Sequence, residues 1–441
     1  MAMTFSLATI AGNIISDIDL QQQQQQEQQL CADLAENDSA LASSQLRICL
    51  MVEPSPFTYV SGYANRFQEL IRFLIQCNDT VEVITCDESY PPKQHLTDWN
   101  GVVAVHHTRG VGLPLYRNVT LSIDWTWKIF RVLRRFKPHI LHVSSPGIMV
   151  LPAIFWSRLW SFPLLLSYHT HLPVYLARYI HPSMVPLAWW WIKWTHSWAD
   201  LTVVTSPPIQ QEFSDHSIPN VDLWQKAVDT ERFHPQHFDT TMRHKMTNGH
   251  PKRFILLYVG RLATEKRVED LVGILETCPL STTCLCLVGM GPEETKLRAL
   301  FHNSTRSVVF LGELYGVELS QAFASADVFV FPSDSETLGF VVLEAMASGT
   351  PVVAARAGGV PSLIDHGATS FLVKTGDIDE FVHYIELLHH DKRLRSEIGK
   401  KARSEAERWS WGASMSHLRH YQYPKAIQIF SKRTRKSNFG D

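Results

Sequence analysis

The stretch Val328-Phe329-Val330-Phe331-Pro332-Ser333-Asp334-Ser335-Glu336-Thr337-Leu338-Gly339-Phe340-Val341-Val342-Leu343-Glu344 decides how the chain folds. Its first four residues form an uninterrupted apolar run, as expected of a strand buried on both faces. A short polar turn follows Pro332, and the apolar spacing then predicts a helix over Leu338–Ser348. A buried strand feeding a helix through a polar turn is the repeating unit of a parallel sheet with right-handed crossovers. Ligands of such sheets bind beyond the carboxyl ends of the strands, where this turn lies.

The same grammar extends in both directions. On the C-terminal side, strands are predicted at Phe254–Val259, Thr283–Val288, Ser307–Leu311, Val328–Phe331 and Pro351–Ala355, with a helix at Val317–Ala326. Toward the N-terminus, strands are predicted at Leu46–Glu53, Thr80–Thr85, His139–Ser144, Leu164–Tyr168 and Leu201–Thr205. Phe67, Leu70, Ile71 and Leu74 have the i, i+3, i+4, i+7 spacing of a helix. Periodicity lapses between Lys226 and His250, where polar residues, His and Pro collect. The expected fold class is α/β, with two Rossmann-like doubly wound domains facing a cleft. The expected boundaries are a Gln-rich disordered segment over 1–45, a first domain over 46–228 and a second over 229–410. A C-terminal helix over 411–428 returns to the first domain, and a basic frayed tail covers 429–441.

Composition narrows the classes further. The chain has 441 residues and a net charge of -2, which gives no global attraction to nucleic acid, and no nucleic-acid-binding signature is present. The 7 cysteines are scattered apart from Cys284 and Cys286, whose spacing suits neither a zinc knuckle nor a redox pair, so a reducing compartment is expected. The longest apolar region, Gly147–Tyr168, is broken by Pro152, Arg158 and Pro163, which argues against a transmembrane helix. A glutamine run at Gln21–Gln26 and the lack of Lys or Arg before Arg47 are unlike a signal peptide or organelle presequence.

Candidate chemistry gathers at the strand ends. After Val259, Gly260 allows a tight turn, and Arg261 and Lys266 place two cations that together suit a diphosphate. Glu336 and Glu344 are eight positions apart. At about 100° per residue their directions differ by only about 80° if the helix begins early. The N–H groups of Thr337, Leu338 and Gly339 would then form an anion site, and a carboxylate beyond it could accept hydrogen bonds from a ribose diol. Gly358-Gly359 permits close backbone approach after another strand, and Ser61-Gly62 is a second phosphate cradle at the first strand's mouth. His169 and His171 end a strand at i and i+2, but no Asp or Glu occurs between Tyr168 and Ser197 to complete a metal set. His169 is therefore read as a hydrogen-bonding group for a sugar in the cleft. No GxGxxG follows either opening strand, which disfavours a dehydrogenase or epimerase.

Gly260-Arg261-Leu262 with Lys266, Glu336 through Glu344, and Gly358-Gly359-Val360-Pro361 together resemble the retaining glycosyltransferases of family four, which have the GT-B fold. The resemblance covers about Leu46 to Tyr423. It is closer to that family's sulfolipid-forming branch in plants and cyanobacteria. The residues that carry this are Ser144–Val150, Ser167–His171, Pro173-Val174-Tyr175, Arg178-Tyr179, Leu223-Trp224, Phe233-His234-Pro235 and Ser335–Met346. The resemblance implies transfer of sulfoquinovose from UDP-sulfoquinovose to diacylglycerol. The alternative is another hexose (glucose, galactose or mannose) moved from UDP or GDP to a lipid. It implies that Arg261 and Lys266 hold the donor diphosphate, Glu336 the sugar hydroxyls and Glu344 the ribose. Gly62 would admit the phosphate, and His169 would lie beside the transferred sugar. His171 and Arg178 are candidates, with His169, for a sulfonate pocket. Retention in the family implies front-face attack without a protein nucleophile. No tightly bound cofactor is implied, and no ligand motif calls for a divalent metal such as Mg. Ala227 stands where the family often has Gly, and Ser61 where many members have Gly.

A lipid acceptor requires access to a membrane surface. Trp125–Lys137 reads as a basic amphipathic helix, and Trp189, Trp190, Trp191, Trp194 and Trp198 form a second aromatic cluster. Either could be a helix covering the sheet. The expectation is a peripheral attachment, at the plastid (chloroplast) envelope by resemblance or at the cytoplasmic side of another membrane.

Overall fold

The structure, a computed structural model, describes residues 44–57, 62–86, 103–113, 116–123, 127–302, 304 and 306–438. The expected disordered N-terminal segment, apart from Ser44 and Gln45, lies outside the described residues, as do Ser61 and Trp125. The first sheet has eight strands: β1 (Arg47–Val52), β2 (Thr80–Cys86), β3 (Ala104–Leu113), β4 (Tyr116–Ile123), β5 (Ile140–Ser145), β6 (Leu164–Tyr168), β7 (Leu201–Val204) and β8 (Val221–Leu223). Their spatial order is β4-β3-β2-β1-β5-β6-β7-β8. All pairs are parallel except β3 with β4. The second sheet contains β9 (Phe254–Val259), β10 (Thr283–Val288), β11 (Ser307–Gly312), β12 (Val328–Phe331), β13 (Val352–Ala355) and β14 (Phe371–Val373). It is ordered β11-β10-β9-β12-β13-β14, and all its pairs are parallel. Strand order reverses at β1/β5 and β9/β12, and such switch points open a crevice at the carboxyl ends.

Packing explains the two bodies. Phe67, Leu70, Ile71 and Leu74 of the Gly62–Gln76 helix bury against Leu50 and Val83 in the first core. The second core gathers Leu257, Phe329, Val353, Leu343 and Phe381. The chain passes between them at Trp224–Asp229 and returns at Trp409, whose carbonyl accepts from Val228 N at 3.0 Å. The returning helices Trp411–His417 and Tyr423–Asn438, with the π-helical turn Leu418–Gln422 between them, put Met415, Leu418, Tyr423 and Ala426 into the first core. The last helix thus runs past Ser431, where the sequence suggests fraying. Arg419 and Asp79 form a fully buried ion pair, with Nη2 to Oδ1 at 2.8 Å, that fastens the return.

Candidate active site

The helix after β12 begins later than its apolar spacing suggests. It spans Phe340–Ala347, because Gly339 takes a left-handed conformation (φ +97°) that no helix continues through. The reading of Thr337, Leu338 and Gly339 as first-turn amides is therefore corrected. Leu338 is buried in the second core, while the hydroxyl and carbonyl of Thr337 bond to the first domain. Thr337 Oγ1 donates to His169 O at 3.1 Å, and Thr205 Oγ1 donates to Thr337 O at 3.0 Å. Glu336 and Glu344 consequently do not share a helix face, since Glu336 stands on the loop and Glu344 within the helix. Gly358 and Gly359 explain the loop's path. A Cβ on Gly358 would lie 2.0 Å from Glu336 O, and one on Gly359 would lie 2.6 Å from Thr337 O. Their close approach is to the Glu336 loop itself, which Gly359 N anchors by donating to Glu336 O at 2.8 Å.

Lys266 ends the short 3-10 turn Thr264–Lys266 beyond β9 and reaches across the strand mouth. Its ammonium group forms an ion pair with the Glu336 carboxylate and also donates to Ser335 O at 3.4 Å. Desolvation works hardest on this lysine and would lower its pKa. Glu336 outweighs that effect, aided by Tyr175 and Glu265, and the net shift is upward. Ser333 Oγ adds a 3.3 Å bond to Glu336, so the carboxylate is held from two sides. Tyr258 Oη donates to Arg261 O at 2.9 Å, fixing the turn that carries Arg261. Glu344 is half-buried, and desolvation pushes its carboxyl up to about 8 against the pull of Arg232.

The facing wall belongs to the first domain. Gly62 meets the donor-side helix so closely that a Cβ there would lie 2.2 Å from Phe340 Cδ2. His169 packs edge-on against Tyr63 and Phe67, with ring centroids 5.0 and 5.2 Å away. Burial, with Arg66 and His142 adding to it, holds His169 well below the usual histidine range, so the ring is neutral. His171 and Arg178 do not join it. His171 Nε2 pairs with Glu212 at 2.7 Å, within the first domain. Arg178 makes a two-pronged ion pair with Asp334 across the cleft, at 2.9 and 2.6 Å. Both pair with protein carboxylates, so a sulfonate placed on them would have to displace Glu212 or Asp334. Among the described residues, no group of three His, Cys, Asp or Glu is arranged to hold a metal ion.

Sequence reasoning missed Asp334, Thr205, Phe340 and Arg66. Arg66 was legible in one respect: it stands four residues after Gly62 and so shares its helix face.

Beside the cleft, at the start of the Val150–Trp160 helix, a cavity of about 390 Å³ is lined by Trp127, Phe130, Ile148, Leu151, Phe155 and Trp156 among others. Trp127 and Phe155 are 64% and 57% exposed. The apolar face of the Lys128–Phe136 helix packs on the sheet through Ile129, Val132, Leu133 and Phe136, while Arg131 and Arg134 point outward. On the Val185–His196 helix, Trp189 packs on the core, whereas Trp190 and Trp194 and, just beyond the helix, Trp198 are exposed.

Two doubly wound domains with cations and carboxylates converging at their facing strand ends define a GT-B glycosyltransferase. The chain belongs to the family-four glycosyltransferases: residues 60–232 match the family described as Glycosyltransferase Family 4, and residues 242–405 match Glycosyl transferases group 1. It is 42% identical over 402 residues to the sulfoquinovosyl transferase SQD2 of Arabidopsis thaliana, covering 90% of this chain and 77% of that protein. It is 30% identical over 380 residues to a GDP-mannose-dependent alpha-mannosyltransferase of Mycobacterium tuberculosis, covering 86% of this chain and 96% of that protein. Among solved structures, the fold matches a sucrose-phosphate synthase from Thermosynechococcus elongatus with a TM-score of 0.68 at 21% identity, over 90% of this chain and all (100%) of that one. It also matches Anabaena Alr3699/HepE in complex with UDP-glucose, with a TM-score of 0.65 at 18% identity, over 89% of this chain and 100% of that one.

Proposed function

We propose that this glycosyltransferase moves sulfoquinovose from UDP-sulfoquinovose to diacylglycerol at a membrane surface, with retention at the anomeric carbon. The observation that carries the reading is the 42% identity to a sulfoquinovosyl transferase over 90% of the chain, a span that includes both walls of the cleft. The acceptor hydroxyl attacks the face from which UDP leaves. The bond from anomeric carbon to phosphate oxygen breaks as the new carbon–oxygen bond forms, and the acceptor proton passes to the departing phosphate. Arg261 and Lys266 offset the charge that develops on the diphosphate. A phosphate reaching Lys266 competes with Glu336, and the carboxylate so released is free to take sugar hydroxyls. Glu344 accepts from the ribose, and neutral His169 hydrogen-bonds to the sugar. Gly62 lets the first-domain loop approach the phosphate. No side chain acts as a nucleophile, unlike a retaining glycosidase with paired carboxylates.

The cavity beside the cleft and the outward Trp127, Phe155, Trp190 and Trp194 suit a lipid surface, with Arg131 and Arg134 facing anionic headgroups. The compartment in this reading is the plastid envelope, with peripheral attachment. A second reading, transfer of another hexose to a lipid, is favoured by the match to the mannosyltransferase over 86% of the chain. Purified protein, diacylglycerol vesicles with and without anionic lipid, and a panel of UDP- and GDP-sugars separate the two by lipid chromatography. Product from UDP-sulfoquinovose is expected. Product from UDP-glucose or GDP-mannose but none from UDP-sulfoquinovose would overturn the first reading, and failure to float with either vesicle would overturn the membrane attachment.

A further inference from the structure

Arg66 is fully buried and has no carboxylate partner among the described residues. It lies one turn into the Gly62–Gln76 helix, on the Gly62 face that meets the second domain. Its guanidinium is sandwiched between the rings of Trp224, at 4.7 Å, and Phe340, at 5.3 Å, and Nη2 donates to Gln225 O at 2.8 Å. Nε and Nη1 are buried and have no acceptor. Two further buried nitrogens around it lack partners, Trp224 Nε1 and His169 Nε2, and the two rings pack 5.5 Å apart. The Arg66 and Trp224 groups can only donate.

A buried cation with unmatched donors is costly unless an anion completes it. Desolvation pulls the Arg66 pKa down to about 9 with no nearby acid opposing it, which expresses the same imbalance. The cluster is built on first-domain residues beneath Phe340 of the second domain, whereas Arg261 and Lys266 stand beyond the end of β9. His169 connects them, because its carbonyl accepts from Thr337, the neighbour of Glu336.

We propose that Arg66, with Trp224 Nε1 and His169 beside it, forms a subsite for an anionic group on the transferred sugar, a sulfonate. This rests on the sulfoquinovosyl reading and supplies the cation that His171 and Arg178, tied to Glu212 and Asp334, do not. The tetrahedral anion accepts from Arg66 Nε and Nη1 and from Trp224 Nε1, while Phe340 and Trp224 hold the guanidinium plane.

Calorimetric titration with UDP, UDP-glucose, UDP-glucuronate and UDP-sulfoquinovose tests it. The wild type should bind UDP-sulfoquinovose about 10- to 100-fold more tightly than UDP-glucose, the scale of charge-assisted hydrogen bonds. In Arg66→Gln that ratio should collapse toward one while UDP affinity stays within about twofold, and Arg66→Lys should fall between because it keeps charge without planarity. A ratio unchanged in a folded Arg66→Gln overturns the subsite, as does equal weakening of UDP itself, which would place Arg66 on the diphosphate. Tighter binding of UDP-glucuronate than of UDP-sulfoquinovose overturns the sulfonate assignment. If Arg66→Gln does not fold, Arg66→Lys and the wild-type ratio decide. A wild type that binds no uridine nucleotide defeats the underlying reading instead, so the two failures are distinct.

Discussion

Replacing Glu344 with Gln should stabilise the protein while weakening its grip on the donor. Burial raises the Glu344 carboxyl from 4.5 to about 8, so the folded state holds its proton far more tightly than the unfolded chain does. A raised acid contributes stability that is fully present below the unfolded pKa and is lost as pH rises toward and through the folded one. From these two values, ionisation of Glu344 removes about 2 kcal/mol by pH 6 and about 4 kcal/mol by pH 8. Gln preserves the shape and cannot ionise. Urea unfolding of wild type and Glu344→Gln at both pH values reads the difference, in which other titrating groups cancel, and the variant's advantage should grow by about 2 kcal/mol across that interval. Donor binding should respond in the opposite sense. If ribose hydroxyls solvate the ionised carboxylate, wild-type affinity for UDP-glucose rises as pH passes through about 8, and this rise disappears in the variant. Parallel stability profiles for the two proteins, or a variant less stable at the higher pH, would refute the burial argument. A variant with the wild-type pH profile of donor binding would refute the ribose role.

Lys266→Ala should lower turnover about 100-fold with a smaller effect on donor affinity, because its charge matters most as the diphosphate leaves. Equal losses in kcat and in donor affinity, measured by single turnover and calorimetry, would contradict this. Gly62→Ala places a methyl group against Phe340, 2.2 Å from Cδ2 and 2.8 Å from Cβ, so a swing of the ring alone does not clear it. The domains must then close less far, and kcat/KM should fall by about 10- to 100-fold with little change in unfolding midpoint. An unchanged kcat/KM would show that this closure is not used in the reaction. Asp79→Ala leaves Arg419 buried without its counter-ion, at a cost of about 3–5 kcal/mol by chemical unfolding. A loss below about 1 kcal/mol would show the pair to be hydrated.

Much of this architecture is legible in one dimension because parallel strands buried on both faces are written as unbroken apolar runs. Phe254–Val259 and Thr283–Val288 form with the bounds their sequence suggests. The edge pair β3 and β4 escaped notice because AVHHTRGVGL and YRNVTLSI mix His, Gly and Arg into the strands, so neither reads as an unbroken apolar run. β8 and β14 have only three residues each, too few for a pattern. Within the site, the cations and glutamates announce themselves by position, but their partners do not. Arg178 and Asp334 are 156 residues apart, and only the meeting of two domains makes them a pair. Arg66 stands on a helix whose apolar spacing runs through Phe67, Leu70, Ile71 and Leu74, and its burial comes from Phe340 and Trp224, which that spacing cannot foresee.

Beside the packing of Phe340 on Gly62 and Arg66, several contacts that join the two walls are polar: Arg178 with Asp334, Tyr179 with Glu265, Thr205 with Thr337, Thr337 with His169, and Lys226 with Ser362 at 2.7 Å. Each exchanges for water at modest net cost, unlike an apolar seam whose parting would expose buried surface. Away from Phe340, parting the walls therefore exchanges polar bonds for water, which suits a closure that responds to what the cleft contains. Thr337 makes that dependence specific. Its hydroxyl and carbonyl bridge to the first domain while its neighbour Glu336 answers to Lys266. A ligand that draws Lys266 away from Glu336 acts beside a residue that helps hold the walls together. Glu336 and Thr337 thus place a donor-side carboxylate and a domain-bridging residue on one peptide unit, with the Gly358-Gly359 turn packed against it.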